Sequence, residues 1–127
     1  MDIQFFDNPL QNPKSREDVR IKQIGLFVYD DLRRMAVGLE LTPFLERPSI
    51  EINITNDKAE PAGSLNVIEN LSPNFSLTMH LRDAETINPY QLTAIIYYAT
   101  PETERVDVDI QTVQFALEQP GEMRFTF

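Results

Sequence analysis

Two carboxylate pairs, Asp30 with Asp31 and Asp107 with Asp109, are the residues of this chain whose type and spacing come nearest to chemistry. Hard oxygen donors of this kind hold calcium when several gather on adjoining loops. Asp107 and Asp109 stand two apart in a run patterned as a strand, which places both carboxylates on one strand face. Asp30 and Asp31 fall in "DDLRR", a tight turn that favours Asp for its own backbone reasons. A full set of loop ligands does not assemble, so no metal is expected. The same pairs could share acid and base roles at a glycosidic bond. Nothing in the sequence sets the distance between two carboxyls or shapes a sugar cleft, however.

His80 is the single histidine, and there is no cysteine. Catalytic zinc takes three protein ligands, commonly several His, and one imidazole with no thiolate falls short of that. Nucleophilic catalysis meets the same limit. Every serine would depend on His80 as base, and no G-x-S-x-G turn exists to expose a hydroxyl. His80 reads instead as a solvent-facing strand residue beside Thr78 and Arg82. Gly25, Gly38, Gly63 and Gly121 are too dispersed to cradle a phosphate. No catalytic residue and no cofactor are expected, and the chain reads as a non-enzyme.

The charge balance narrows the partners. Twenty acidic against 11 basic residues give a formal charge of -9, which opposes binding to nucleic acid and to anionic membranes, because that affinity comes from Lys and Arg at phosphates. The start "MDIQFFDNPLQNPKSRED" lacks a basic and apolar leader pattern, and runs such as "AIIYYA" are too short to cross a bilayer. With cysteine absent as well, a reducing, cytoplasmic location is expected. The N-x-[ST] triplets at Asn53, Asn70 and Asn74 read as chance.

The elements that must carry any site are strands. At 127 residues the chain suits one domain with one core. From Val19 the pattern alternates at period two. Val19 and Ile21 give way to Ile24, Leu26 and Val28 in the other phase, which predicts a bulge near Lys22 and Gln23. After the turn, Met35, Val37, Leu39 and Leu41 share a face until Pro43. "SIEINIT", "SLNVIE" and "NFSLTMHLR" follow, the last with Phe75, Leu77, Met79 and Leu81 in strict alternation. "PYQLTAIIYYA" then aligns Tyr90, Leu92, Ala94, Ile96 and Tyr98, with Tyr97 on the opposite face. "RVDVDIQTVQFAL" shifts phase between Ile110 and Val113, again like a bulge. The tail "EQPGEMRFTF", with Met123, Phe125 and Phe127, has the pattern of an eighth strand.

About seven short strands with polar, proline-bearing connections and no helical period predict an all-β antiparallel sandwich. Tyr90, preceded by "INP" and followed by Leu92 and Ala94, resembles the tyrosine corner of immunoglobulin-like sandwiches. In strand order and spacing, residues 19–117 resemble the immunoglobulin or fibronectin type III superfamily. The paired cysteines and the Trp of antibody domains are missing. The resemblance implies a structural role for Tyr90, whose hydroxyl would bond backbone upstream. Tyr98 then fills the far end of the same face, and Tyr97 is left as a candidate contact.

Residues 1–18 read as an extended arm before a sandwich domain at 19–127. The arm carries Ile3, Phe5, Phe6 and Leu10 among prolines and polar residues. It cannot form a core alone, so it is expected to pack across a subunit boundary, with its own subunit as the rival site. The expected function is protein–protein contact, with self-association, and the interaction residues are Phe5, Phe6, Leu10 and Tyr97. The alternative is a carbohydrate-type ligand site using exposed rings, for which Tyr97, Phe44, Phe5 and Phe6 are the candidates.

Overall fold

Alternation builds the strands. The structure, a computed structural model, describes residues 12–127. In it β1 (Ile21–Val28), β2 (Arg34–Leu41), β3 (Ser49–Thr55), β4 (Pro61–Val67), β5 (Asn74–His80), β6 (Tyr90–Thr100), β7 (Thr103–Phe115) and β8 (Gly121–Thr126) follow a single 3-10 turn at Arg16–Asp18. The tail does form a strand, so the count among the described residues is eight. They pair antiparallel in two four-stranded sheets, ordered β5-β2-β1-β8 and β4-β3-β6-β7. The fold is an all-β sandwich of two such sheets. No helix among the described residues is long and apolar enough to cross a membrane.

The core lies between the sheets. Ile24, Leu26 and Val28 of β1 and Met35, Val37, Leu39 and Leu41 of β2 meet Ile50, Ile52 and Ile54 of β3 and Leu92, Ala94 and Ile96 of β6. Each large side chain so buried contributes roughly 1.5–3 kcal/mol. The bulge in β1 falls between Ile21 and Gln23, where the phase change predicts it. The other does not sit where the pattern suggests. Register in the β6–β7 pair breaks between Ile96, opposite Asp109, and Tyr97, opposite Asp107, so Val108 is the extra residue. Ile110 keeps the phase of Thr112 and stands 53% exposed on the outer face. An outward isoleucine was indistinguishable in sequence from one shifted inward by a bulge. β4 also begins earlier than "SLNVIE", at Pro61, because an edge strand tolerates a residue with no N–H to donate.

Strand direction sorts the connections into two ends. Turn 29–33, hairpin 56–60, loop 81–89 and loop 116–120 share the first. There the Tyr90 hydroxyl donates to Asp83 (2.9 Å) and accepts the backbone N–H of Ile87, three residues upstream (3.0 Å). Asn56, 4% exposed, accepts the N–H groups of Lys58 and Glu60 and donates toward Asp83. Asn88 clasps Leu117 by both its N–H and its carbonyl. Asp31 accepts the N–H groups of Arg33 and Arg34. The second end holds segment 12–20, loops 42–48 and 68–73, the β6–β7 hairpin and the close of the chain.

Candidate functional site

The second end is built around Tyr98. Its ring is 6% exposed, and its hydroxyl donates to the Glu46 carbonyl at 3.0 Å. Burial raises its pKa above the ordinary phenol value. The Arg16 guanidinium lies 4.8 Å over the ring and is held by the Glu46 carboxylate at 2.6 Å. That hydrogen-bonded carboxylate raises the Arg16 pKa. Segment 12–18 is placed for this by backbone bonds, Lys14 N–H to the Pro43 carbonyl and Leu45 N–H to the Lys14 carbonyl. Lys14 thereby forms a parallel bridge with Phe44.

Arg16 and Tyr98 line two clefts. One, of about 390 Å³, is lined by Arg16, Glu17, Tyr98, Val106, Asp107 and Val108. The other, about 290 Å³, is lined by Arg16, Glu46, Arg47, Ser49, Glu69, Tyr98, Ala99 and Thr100. Ser49 is the hydroxyl nearest to a nucleophile there, but its Oγ accepts the N–H of Glu69. His80 faces Arg34 across the β2–β5 pair, at the other end of the sandwich. A serine–histidine couple is therefore not brought together. The clefts can pair charge and cover apolar surface, and they hold no arranged base.

Tyr97 repeats the device on the outer face of the β4-β3-β6-β7 sheet. Arg105 lies 4.0 Å over its ring and bonds Glu51 (2.9 Å) and Asp107 (2.7 Å). The Arg105 guanidinium holds the Glu51 carboxyl below the usual carboxylate range. The Tyr97 hydroxyl donates to Asn66 at 2.6 Å. With 5% of its surface exposed, Tyr97 presents no bare ring. Phe44, the other ring named as a ligand candidate, is partly buried against the core. Phe5, Phe6 and Leu10 lie outside the described residues.

Two loops at this end expose large apolar side chains. Loop 42–48 and loop 68–73 are tied by the Asn70 N–H to the Pro48 carbonyl (2.7 Å) and by the Leu41 N–H to the Pro73 carbonyl (2.8 Å). On them Leu45, Ile68 and Leu71 are 70%, 65% and 72% exposed. Glu46, Arg47 and Glu69 are their charged neighbours in sequence on the same loops.

The carboxylates picked out first are not brought together. The Val108 bulge reverses the expected sharing of a face: Asp107 turns outward to Arg105, while Asp109 turns inward and accepts the Ile21 N–H at 2.8 Å. Asp30 and Asp31 belong to the opposite end. Among the described residues no three His, Asp or Glu gather as a metal site. Sequence reasoning missed Leu45 and Leu71, which sit in loops where periodicity carries no signal, and ran the strand "SLNVIE" through Ile68, where β4 ends at Val67. It also missed the arginine caps, since Arg16 and Arg105 meet Tyr98 and Tyr97 across the fold. No protein-family model matches the chain, and no curated protein matches it in sequence.

Proposed function

We propose that the chain is a non-enzymatic, immunoglobulin-like sandwich that works through protein contacts, and that a second copy of itself is a partner. The observation that carries this is the exposure of Leu45, Ile68 and Leu71 on two tied loops at one end. Neighbouring exposed apolar residues rimmed by charge are the mark of an interaction surface. The rim bears both signs, Arg47 against Glu46 and Glu69, so a two-fold contact can set Arg47 of one copy against an acid of the other. The net acidity favours protein over polyanionic partners, and the absence of cysteine suits a reducing, cytoplasmic setting.

Strand order supports the immunoglobulin-like part of the proposal. β5-β2-β1 in one sheet and β4-β3-β6-β7 in the other is the order in which such sandwiches place strands E, B, A and C′, C, F, G. Tyr90 stands at the start of the sixth strand with its hydroxyl on upstream backbone, as a corner tyrosine does. β8, added beside β1, departs from that plan. A carbohydrate-type site has less in its favour, because the Tyr97 and Tyr98 rings lie beneath arginines.

Sedimentation velocity tests the association. The intact chain is expected to be dimeric at micromolar concentration, and Leu45→Asp with Leu71→Asp to be monomeric with an unchanged melting temperature. A monomeric intact chain, or a dimer indifferent to both substitutions, overturns the proposal.

A further inference from the structure

One edge of the sandwich is guarded along only half its length. β7 closes a side of the β4-β3-β6-β7 sheet: it pairs with β6, and among the described residues no strand pairs with its other edge. At 13 residues it is also the longest of the edge strands, so it leaves the most ladder open. An open edge is a template for another strand unless surface charge, an inward-pointing charged residue or a bulge blunts it. The first part of β7 carries all of these: Glu104, Arg105 and Asp107, the bulge at Val108, and Asp109 turned inward. The rest carries none. Residues 110–115 read "IQTVQF", without charge, proline or glycine and rich in Ile, Thr, Val and Phe, which favour strands. That is the composition of segments that pair strand to strand between chains. Ile110 is 53% exposed on the outer face, with Thr112 and Gln114 exposed in the same phase.

We propose that the 110–115 edge of β7 pairs with the same segment of a second copy, antiparallel, joining the two sheets into one. The charge pattern selects this occupant and its direction. Acids stand at 104, 107 and 109, and no charge occurs from 110 to 117. A two-fold axis at Thr112 sets Ile110 of each copy opposite Gln114 of the other, Gln111 opposite Val113, and Thr112 opposite itself, with every pair on one face. Asp109 then meets Phe115, and the acids of each copy lie alongside uncharged chain. Parallel copies would align each acid with its twin, and like charges directly opposite are destabilising, whereas a threonine pair is favourable. The contact is smaller than a standard interface. It is the weaker of two separate contacts, and it joins molecules at higher concentration than the one proposed at Leu45 and Leu71.

A chain without cysteine lets single thiols report the pairing in the full-length protein. Thr112→Cys places a thiol on the axis, opposite its own twin. Directly opposed residues have Cα atoms about 4.5–5.5 Å apart, a span that a disulfide bridges. Gln114→Cys faces Ile110 instead, and Gln91→Cys puts an exposed thiol on β6, a central strand. Each is made together with Leu45→Asp and Leu71→Asp, so that the contact at the end of the sandwich has no part in the result, and is oxidised with diamide at millimolar protein. The thiol at 112 is expected to give the disulfide-linked dimer about tenfold faster than those at 91 and 114, because pairing holds the two sulfurs at an effective concentration that free collisions do not reach. Sedimentation equilibrium of the Leu45→Asp, Leu71→Asp protein at the same concentration should show dimers, and adding Thr112→Lys, which opposes two ammonium groups across the axis, should leave monomers. Equal rates at 112 and 114 or 91, no cross-link at 112, or dimers that persist with Thr112→Lys would overturn the proposal.

Discussion

At the end where β6 begins, Tyr90 spends its hydroxyl on both a carboxylate and a backbone N–H, and Asn56 and Asn88 close the adjoining loops in the same manner. At the end where β6 finishes, Tyr98 makes one backbone bond, an arginine covers its ring, and leucines stand in water nearby. The first end is closed by part-buried bonds between side chains and loop backbone. Such groups are expensive to leave unpaired and contribute modestly when paired. The second end adds to its backbone ties partly exposed ion pairs, which contribute little to stability, and it leaves apolar surface unburied. The contrast sets stability at the first end and leaves the second to the contact role proposed for it.

The comparison breaks most readily at Asn56. Asn56→Ala removes a buried side chain that accepts the Lys58 and Glu60 N–H groups and donates toward Asp83, and is expected to cost about 1–3 kcal/mol. Tyr90→Phe, which strands the Ile87 N–H and one Asp83 oxygen, should cost about 1–2 kcal/mol. Urea denaturation measures both, with an unchanged slope showing that stability alone has moved. If either change is silent, the first end is not the structural one.

Tyr98→Phe and Tyr97→Phe come next. Tyr98 loses one bond to a loop carbonyl, worth about 0.5–1.5 kcal/mol. Tyr97 loses one to Asn66, whose side chain stands in solvent and can bond water instead, so a few tenths is expected. A denaturant midpoint for Tyr97→Phe that falls as far as that for Tyr90→Phe would erase the distinction between the ends.

Arg105→Ala probes the outer-face cap. It removes ion pairs to Glu51 and Asp107 in which all three side chains are partly exposed, and about 1 kcal/mol or less is expected. The deficit should shrink in molar salt, where screening shortens the reach of exposed charges. A loss that persists at high salt would mean that the packing of the Arg105 stem on Tyr97 carries the effect.

How far the sequence discloses all this depends on whether a residue's role is periodic. The inward sets of β2 and β3 read directly from Met35, Val37, Leu39 and Leu41 and from Ile50, Ile52 and Ile54, because one buried face imposes period two. Tyr90 was legible through its resemblance to a corner tyrosine, after "INP" and before Leu92 and Ala94, and its hydroxyl does meet backbone upstream, at the Ile87 N–H. The Val108 bulge was not: "VDVDI" alternates perfectly, and only pairing with β6 reveals that one residue is extra. The second end was opaque for a related reason. Arg16 and Tyr98, or Leu45 and Leu71, are joined by topology and not by spacing.

The smallest expected effect sharpens the first end by its pH dependence. In the turn between β1 and β2, Asp31 accepts two backbone N–H groups and the Arg34 Nε. The backbone bonds to Arg34 and Arg33 lower its pKa from 3.8 to about 2. The folded state therefore favours the carboxylate. Its contribution is complete above the ordinary value of 3.8, and it declines as pH falls through about 2, because the unfolded chain takes up its proton first. Asp31→Asn keeps an oxygen for the two N–H groups but removes the charge. The variant should melt slightly below the parent at pH 6, and the gap should close between pH 4 and pH 2. A gap that is constant across that window would show that the Asp31 hydrogen bonds, and not its ionisation, hold the turn.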